Sequence, residues 1–158
     1  MRNIKFRVWD KKTKKMRQLV NIVFNAGFGV EPNDNTIKLV WVKGKDIIED
    51  KDIQIQREDN FELMQYTGTH DESGKEIYEG DIVKFKHRDI TIMAPVKYGE
   101  WQESKCDEYD CPHYGYYIDY KWDNYCENTG FDLYEKIVEV VGNIYENPEL
   151  LKGADNIE

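Results

Sequence analysis

All three cysteines and one of the three histidines fall within 21 positions of each other: Cys106, Cys111, His113 and Cys126. Three thiolates and one imidazole are a permitted tetrahedral set for zinc. The spacing Cys-x4-Cys-x-His-x12-Cys lacks the Cys-x2-Cys knuckle that marks zinc ribbons. Four protein ligands leave no open position, so a zinc here would be structural and not catalytic. The competing reading is three unrelated thiols in an insertion. No other cofactor is expected.

The same region is dense in rings and carboxylates. From Glu100 to Glu135 there are 10 acidic residues against Lys105 and Lys121, and 10 aromatic residues interleave with them. Tyr and Trp bury much area at little entropic cost, which suits protein contacts. Carboxylates beside them steer a basic partner. Tyr116, Tyr120, Trp122 and Tyr125 are the expected partner-binding residues. The alternative is a strand and loop whose rings are core and whose charges are simply solvated.

A basic strip opens the chain. Residues 1–17 hold eight Lys and Arg against Asp10 alone. With Trp9 to stack on a base, Arg2, Lys5 and Arg7 could contact a nucleic acid. A lysine-rich turn that blunts a sheet margin explains the same residues without a ligand. Catalytic patterns are weak. Glu103-Ser104-Lys105 with Asp89 imitates a magnesium nuclease set, but it falls in a polar, irregular stretch and not on a strand. His70, His87 and His113 stand in unrelated contexts, and no glycine-rich phosphate loop is present. The chain is therefore not expected to be an enzyme.

The elements that must position these residues are strands. Ile4, Phe6 and Val8 alternate with Lys5 and Arg7, and Met16 to Phe24 resumes the pattern after a polar turn, which predicts a hairpin. Residues 26–36 are rich in turn formers and read as a loop. Ile37 to Val42 and Ile53 to Gln56 read as strands, the second at the edge of a sheet. Phe61 to Gly68, Ile82 to Phe85, Ile90 to Met93, Val96 to Tyr98, Tyr116 to Trp122 and Tyr134 to Glu146 continue the series. Pro95 is expected to separate Ile90 to Met93 from Val96 to Tyr98, and Gly80 to make a bulge or a sharp corner. Asn147-Pro148-Glu149 reads as a capped helical start. Short strands with frequent turns predict an all-β fold, a small barrel or strongly bent antiparallel sheet with a short C-terminal helical turn. One domain over 1–158 is expected, with two β subdomains at 1–60 and 61–158.

Composition narrows the class. The chain has 158 residues, 40% of them hydrophobic and 34% charged. No apolar run approaches the ~18–20 residues of a membrane span, and no apolar signal region opens the chain. An odd cysteine count without an export signal favours a reduced, cytoplasmic compartment. The net charge of −9 is uneven. Residues 1–60 hold 13 Lys and Arg against 9 Asp and Glu, whereas residues 61–158 hold 9 against 22. An acidic whole disfavours non-specific nucleic-acid binding.

Three segments carry a resemblance. They are Lys5-Phe6-Arg7-Val8-Trp9-Asp10 with Met16; Leu63-Met64-Gln65-Tyr66-Thr67-Gly68 running through Gly74-Lys75-Glu76-Ile77-Tyr78-Glu79-Gly80-Asp81-Ile82-Val83; and Glu139-Val140-Val141-Gly142-Asn143-Ile144-Tyr145-Glu146-Asn147-Pro148-Glu149-Leu150-Leu151. In this order and spacing the chain resembles the YopX family of phage and prophage proteins, departing from it at 25–60 and 99–130. The resemblance implies an all-β, barrel-like fold, a phage or prophage origin and action in the bacterial cytoplasm. It implies no activity. The expected function is thus a non-enzymatic accessory protein that binds a host or phage protein with a basic surface. The alternative is a small β-barrel that binds nucleic acid through its basic N-terminal hairpin. Unpaired sheet margins would also make a homo-oligomer easy to build.

Overall fold

The alternation at the start of the chain does form a hairpin. Strand β1 (Phe6–Asp10) pairs antiparallel with β2 (Lys15–Phe24), Val8 opposite Arg17 and Trp9 opposite Met16. The computed structural model describes residues 4–24, 37–43, 52–56, 60–102, 112–120 and 130–152, with backbone alone at 20–24, 37–43 and 52–56. It divides into two units, residues 5–65 and residues 66–158 with 1–4.

In the unit of residues 5–65, β3 (Ile37–Lys43) follows β2, and β4 (Asp52–Gln56) lies outermost. On the other side of β1 runs the first half of β5 (Phe61–His70). Strand β1 is therefore central, and Val8, Trp9 and Asp10 are all buried.

In the larger unit the rest of β5 pairs with β6 (Glu76–Tyr78). Five further strands form a sheet in the order β10-β9-β8-β7-β11. They are β7 (Asp81–His87), β8 (Ile90–Trp101), β9 (His113–Asp119), β10 (Gly130–Asp132) and β11 (Glu139–Asn143). Alternation along β7 puts Val83 and Phe85 in the core and Lys84 and Lys86 outside it. Val96, Ile118 and Leu133 complete that core. Each such side chain, fully enclosed, contributes roughly 1.5–3 kcal/mol.

The all-β expectation holds: one sheet curls as a half-barrel, a second sheet is present, and no described helix reaches seven residues. Nor is any described helix long and apolar enough to cross a membrane. Gly80 makes the expected corner at φ +78°; its N–H donates to Val96 O at 2.8 Å and its carbonyl accepts from Ile144 N–H at 2.9 Å.

Three local expectations are corrected. Pro95 does not divide β8, which runs through it with Pro95 opposite Ile82. Pairing with β9 begins only at Val96, so the missing N–H falls where β8 has no β9 partner. The strand expected over 134–146 is confined to β11. Before it, Leu133–Glu135 forms a 3-10 turn, started by the Asp132 carboxylate accepting Tyr134 N–H at 2.8 Å and anchored by buried Leu133. The expected C-terminal helical turn is present as a 3-10 turn over Pro148–Leu151, yet the Asn147 side chain does not cap it. Its Oδ1 reaches back to accept the Asn143 N–H at 3.4 Å.

Candidate protein-contact face

The β8–β9 pair carries five tyrosine and tryptophan rings, Tyr98, Trp101, Tyr114, Tyr116 and Tyr117. Val96 lies opposite Ile118, Tyr98 opposite Tyr116 and Glu100 opposite Tyr114. Alternation places these six side chains on one face of the pair. Burial falls along it. Val96 and Ile118 are fully enclosed, Tyr116 is 4% exposed, Tyr98 is 62% exposed and Tyr114 is 73% exposed. The Tyr98 ring meets Tyr116 edge-on, with centroids 5.0 Å apart. The Tyr114 hydroxyl donates to Glu100 Oε2 at 2.5 Å, and that bond together with the carboxylate charge pushes the phenol pKa up. Two tyrosine rings and a carboxylate thus stand in water on a strand pair whose inner end is packed.

The opposite face carries Lys97, Gly99 and Trp101 against Tyr117, Gly115 and His113. Trp101 and Tyr117 are buried and stack with an interplanar angle of 12°, while the His113 ring stacks on Trp101 at 4.8 Å. Gly99 and Gly115 face each other with φ of +152° and +155°, a region that residues with a Cβ rarely enter. The Lys97 ammonium is ion-paired with Asp119, and donating to that carboxylate raises its pKa. Burial and the Asp119 charge raise the Tyr117 phenol.

The expected partner-binding residues are dispersed. Tyr116 lies beneath Tyr98 in the core cluster. Tyr120 is half-buried and stacks on Phe131 at 6.2 Å. Trp122 and Tyr125 lie outside the described residues. Beyond the β8–β9 pair Tyr134 is also exposed, and on the pair itself the tyrosine rings that face solvent are Tyr98 and Tyr114 instead. The signal for them was the period of two: counted outward from the apolar positions Val96 and Ile118, residues 98 and 100 share a face with 116 and 114.

In the basic strip, Trp9 is 6% exposed, so its ring is enclosed. Lys5 is half-buried, Arg7 donates from Nε to Met64 Sδ at 3.4 Å, and Arg2 lies outside the described residues. The exposed cations of the strip are Lys12 and Lys14 in the β1–β2 turn and Lys15 at the start of β2. Asp10 shapes that turn. Its carboxylate accepts the N–H groups of Lys12 at 3.0 Å and Thr13 at 3.1 Å, the Thr13 hydroxyl, and Arg17 Nε at 3.1 Å. Burial raises the Asp10 pKa, but the Thr13, Arg17 and Lys12 bonds outweigh it and hold the carboxyl below its usual range. Lys14 takes a left-handed conformation at φ +54°.

Of the proposed zinc ligands, His113 is described, and Cys106, Cys111 and Cys126 lie outside the described residues. Among the described residues no group of three or more His, Cys, Asp and Glu gathers around a metal position. A groove of ≈ 510 Å³ runs beside β7 between Lys84, Lys86 and Lys136 and Glu72, Glu135 and Glu139. Lys84 and Glu139 are ion-paired there, and three cations against three anions leave no net charge.

Comparison with known proteins follows the fold. No curated protein matches the sequence significantly. Among solved structures, the crystal structure of protein EF1440 from Enterococcus faecalis superposes with a TM-score of 0.52 at 23% identity, covering 96% of this chain and 99% of that one. That likeness is one of fold. The family model for YopX protein matches residues 5–152, nearly the whole sequence. The chain belongs to the YopX family.

Proposed function

We propose that this protein is a non-enzymatic phage or prophage accessory protein that binds a basic protein surface through the β8–β9 face. One observation carries the reading: Tyr98 and Tyr114 stand exposed beside Glu100 on a strand pair whose inner end is fully packed. A rigid sheet presenting large rings loses little entropy when the rings are covered. The adjacent carboxylate steers and orients a cationic surface. The excess of acidic residues over 61–158 extends that attraction beyond the contact itself. Family membership supports the accessory role through the phage or prophage setting that the resemblance implies. The nucleic-acid alternative is weaker, because the Trp9 ring it needs for stacking is enclosed.

Affinity capture with the tagged full-length chain tests this. The wild type should retain a protein that presents a basic surface, and Tyr98→Ala with Tyr114→Ala should weaken that complex at least about tenfold. Both positions are exposed, so an unchanged circular-dichroism spectrum will show that the variant folds. Retention at wild-type affinity would reject the face.

A further inference from the structure

We propose that the basic partner of this face is a second copy of the same chain, whose β1–β2 turn docks on Tyr98, Glu100 and Tyr114. The inference rests on the reading of that face as a contact surface and names its occupant. The turn has the required chemistry. Lys12, Lys14 and Lys15 are exposed within four positions, and among the described residues none of them is ion-paired. Asp10 is the one acidic residue among the first 30, and it does not offset them from the surface. It is buried at 4% exposure and occupied by Arg17, Thr13 and the turn's own N–H groups. Those bonds also fix the turn, so little freedom is lost on docking.

The face answers that chemistry. Ammonium groups bind the faces of tyrosine rings, and here two exposed rings flank a carboxylate that Tyr114 holds in place. The same complementarity runs through the whole sequence, since residues 1–60 are net positive and residues 61–158 strongly negative. Net charge −9 opposes a polyanion and a second copy alike, so the self-contact is carried by the local pairing of the three ammonium groups with Glu100 and the two rings. Made twice about a twofold axis, the contact closes a dimer; made once per copy, it grows a chain.

Sedimentation velocity on the full-length protein tests the inference, with a charge exchange to localise it. At about 50 mM salt the wild type should self-associate at roughly 100 μM, and at about 500 mM it should dissociate, because exposed charge pairs are screened. Lys12→Glu with Lys14→Glu and Lys15→Glu should weaken association at least about tenfold, and so should Glu100→Lys. Mixed in equal amounts, the two variants should associate again, because each turn then meets a face of opposite charge. All changes are at exposed positions, and circular dichroism will report their folding. A wild type that stays monomeric at low salt overturns the inference, as does Glu100→Lys associating normally or a mixture that fails to pair. A monomer whose turn instead shifts a single-stranded oligonucleotide also overturns it. A monomer that still captures a basic protein through Tyr98 and Tyr114 would sink the self-contact alone; loss of that capture as well would sink the face.

Discussion

Asp71 is 8% exposed and accepts four hydrogen bonds. Its Oδ1 takes the Ser73 N–H and hydroxyl and the Lys75 N–H, and its Oδ2 takes the Val140 N–H at 3.0 Å. One carboxylate thereby closes the turn after β5 and ties it to β11, 69 positions later. Burial pushes this carboxyl up, but the bonds from Ser73, Val140 and Lys75 prevail and hold its pKa at about 2. The folded value lies below the unfolded one, so the stabilisation is complete above about pH 4 and fades as pH falls through about 2. Asp71→Asn should cost about 3 kcal/mol at neutral pH, since it removes a charged acceptor and turns a donor toward N–H groups. Urea titrations should show the gap from wild type closing near pH 2; an equal gap at both pH values would contradict this account. The turn itself was legible from Asp71-Glu72-Ser73-Gly74. The bond to Val140 was not, because a local pattern carries no information about a donor so distant in sequence.

Among the elements, β11 and the turn that follows it are locked together by one close approach. The register between β7 and β11 shifts between Val140 and Gly142, so Val141 bulges. A Cβ on Gly142 would sit 2.5 Å from Asn147 Oδ1 and 2.9 Å from Asn147 Cβ. Gly142→Ala should therefore destabilise by about 2 kcal/mol in the native background and by much less alongside Asn147→Gly, a coupling that a double-mutant cycle measures. Additive costs would show that Asn147 is not the obstacle. Most strands were legible because alternation against a core repeats every two residues, as in β1, β7 and the outer half of β8. Two of the three errors came where a side chain bonded to the backbone in a way that composition does not specify. Asp132 starts a 3-10 turn inside an apparent strand, and Asn147 folds back to Asn143 instead of capping forward. The exposed tyrosines of the proposed face were legible in kind, as rings among carboxylates. Which rings were core was not, because Tyr114, Tyr116 and Tyr117 have the same chemistry and differ only in side and depth.

At the scale of the molecule, the chain is held by partners far apart in sequence. Met64 lies opposite Arg7, the Tyr134 hydroxyl donates to Thr67 O at 2.9 Å, and Val140 bonds Asp71. Such non-local pairing must close long loops before it is rewarded, so refolding should take about milliseconds to seconds. Stopped-flow tryptophan fluorescence will report it, since Trp9 and Trp101 are both buried; full amplitude within microseconds would refute it. The facing glycines Gly99 and Gly115 have a further consequence. They draw a crease across both strands of the hairpin, with no Cβ on either side of the line. Inward of it, Val96 and Ile118 are dictated by the interior they fill. Outward of it, Glu100 and Tyr114 answer only to water and to whatever touches them. Those two positions can thus be rewritten, exchanging charge or ring for others, while buried Trp101 on the opposite face and the scaffold beneath stay as they are.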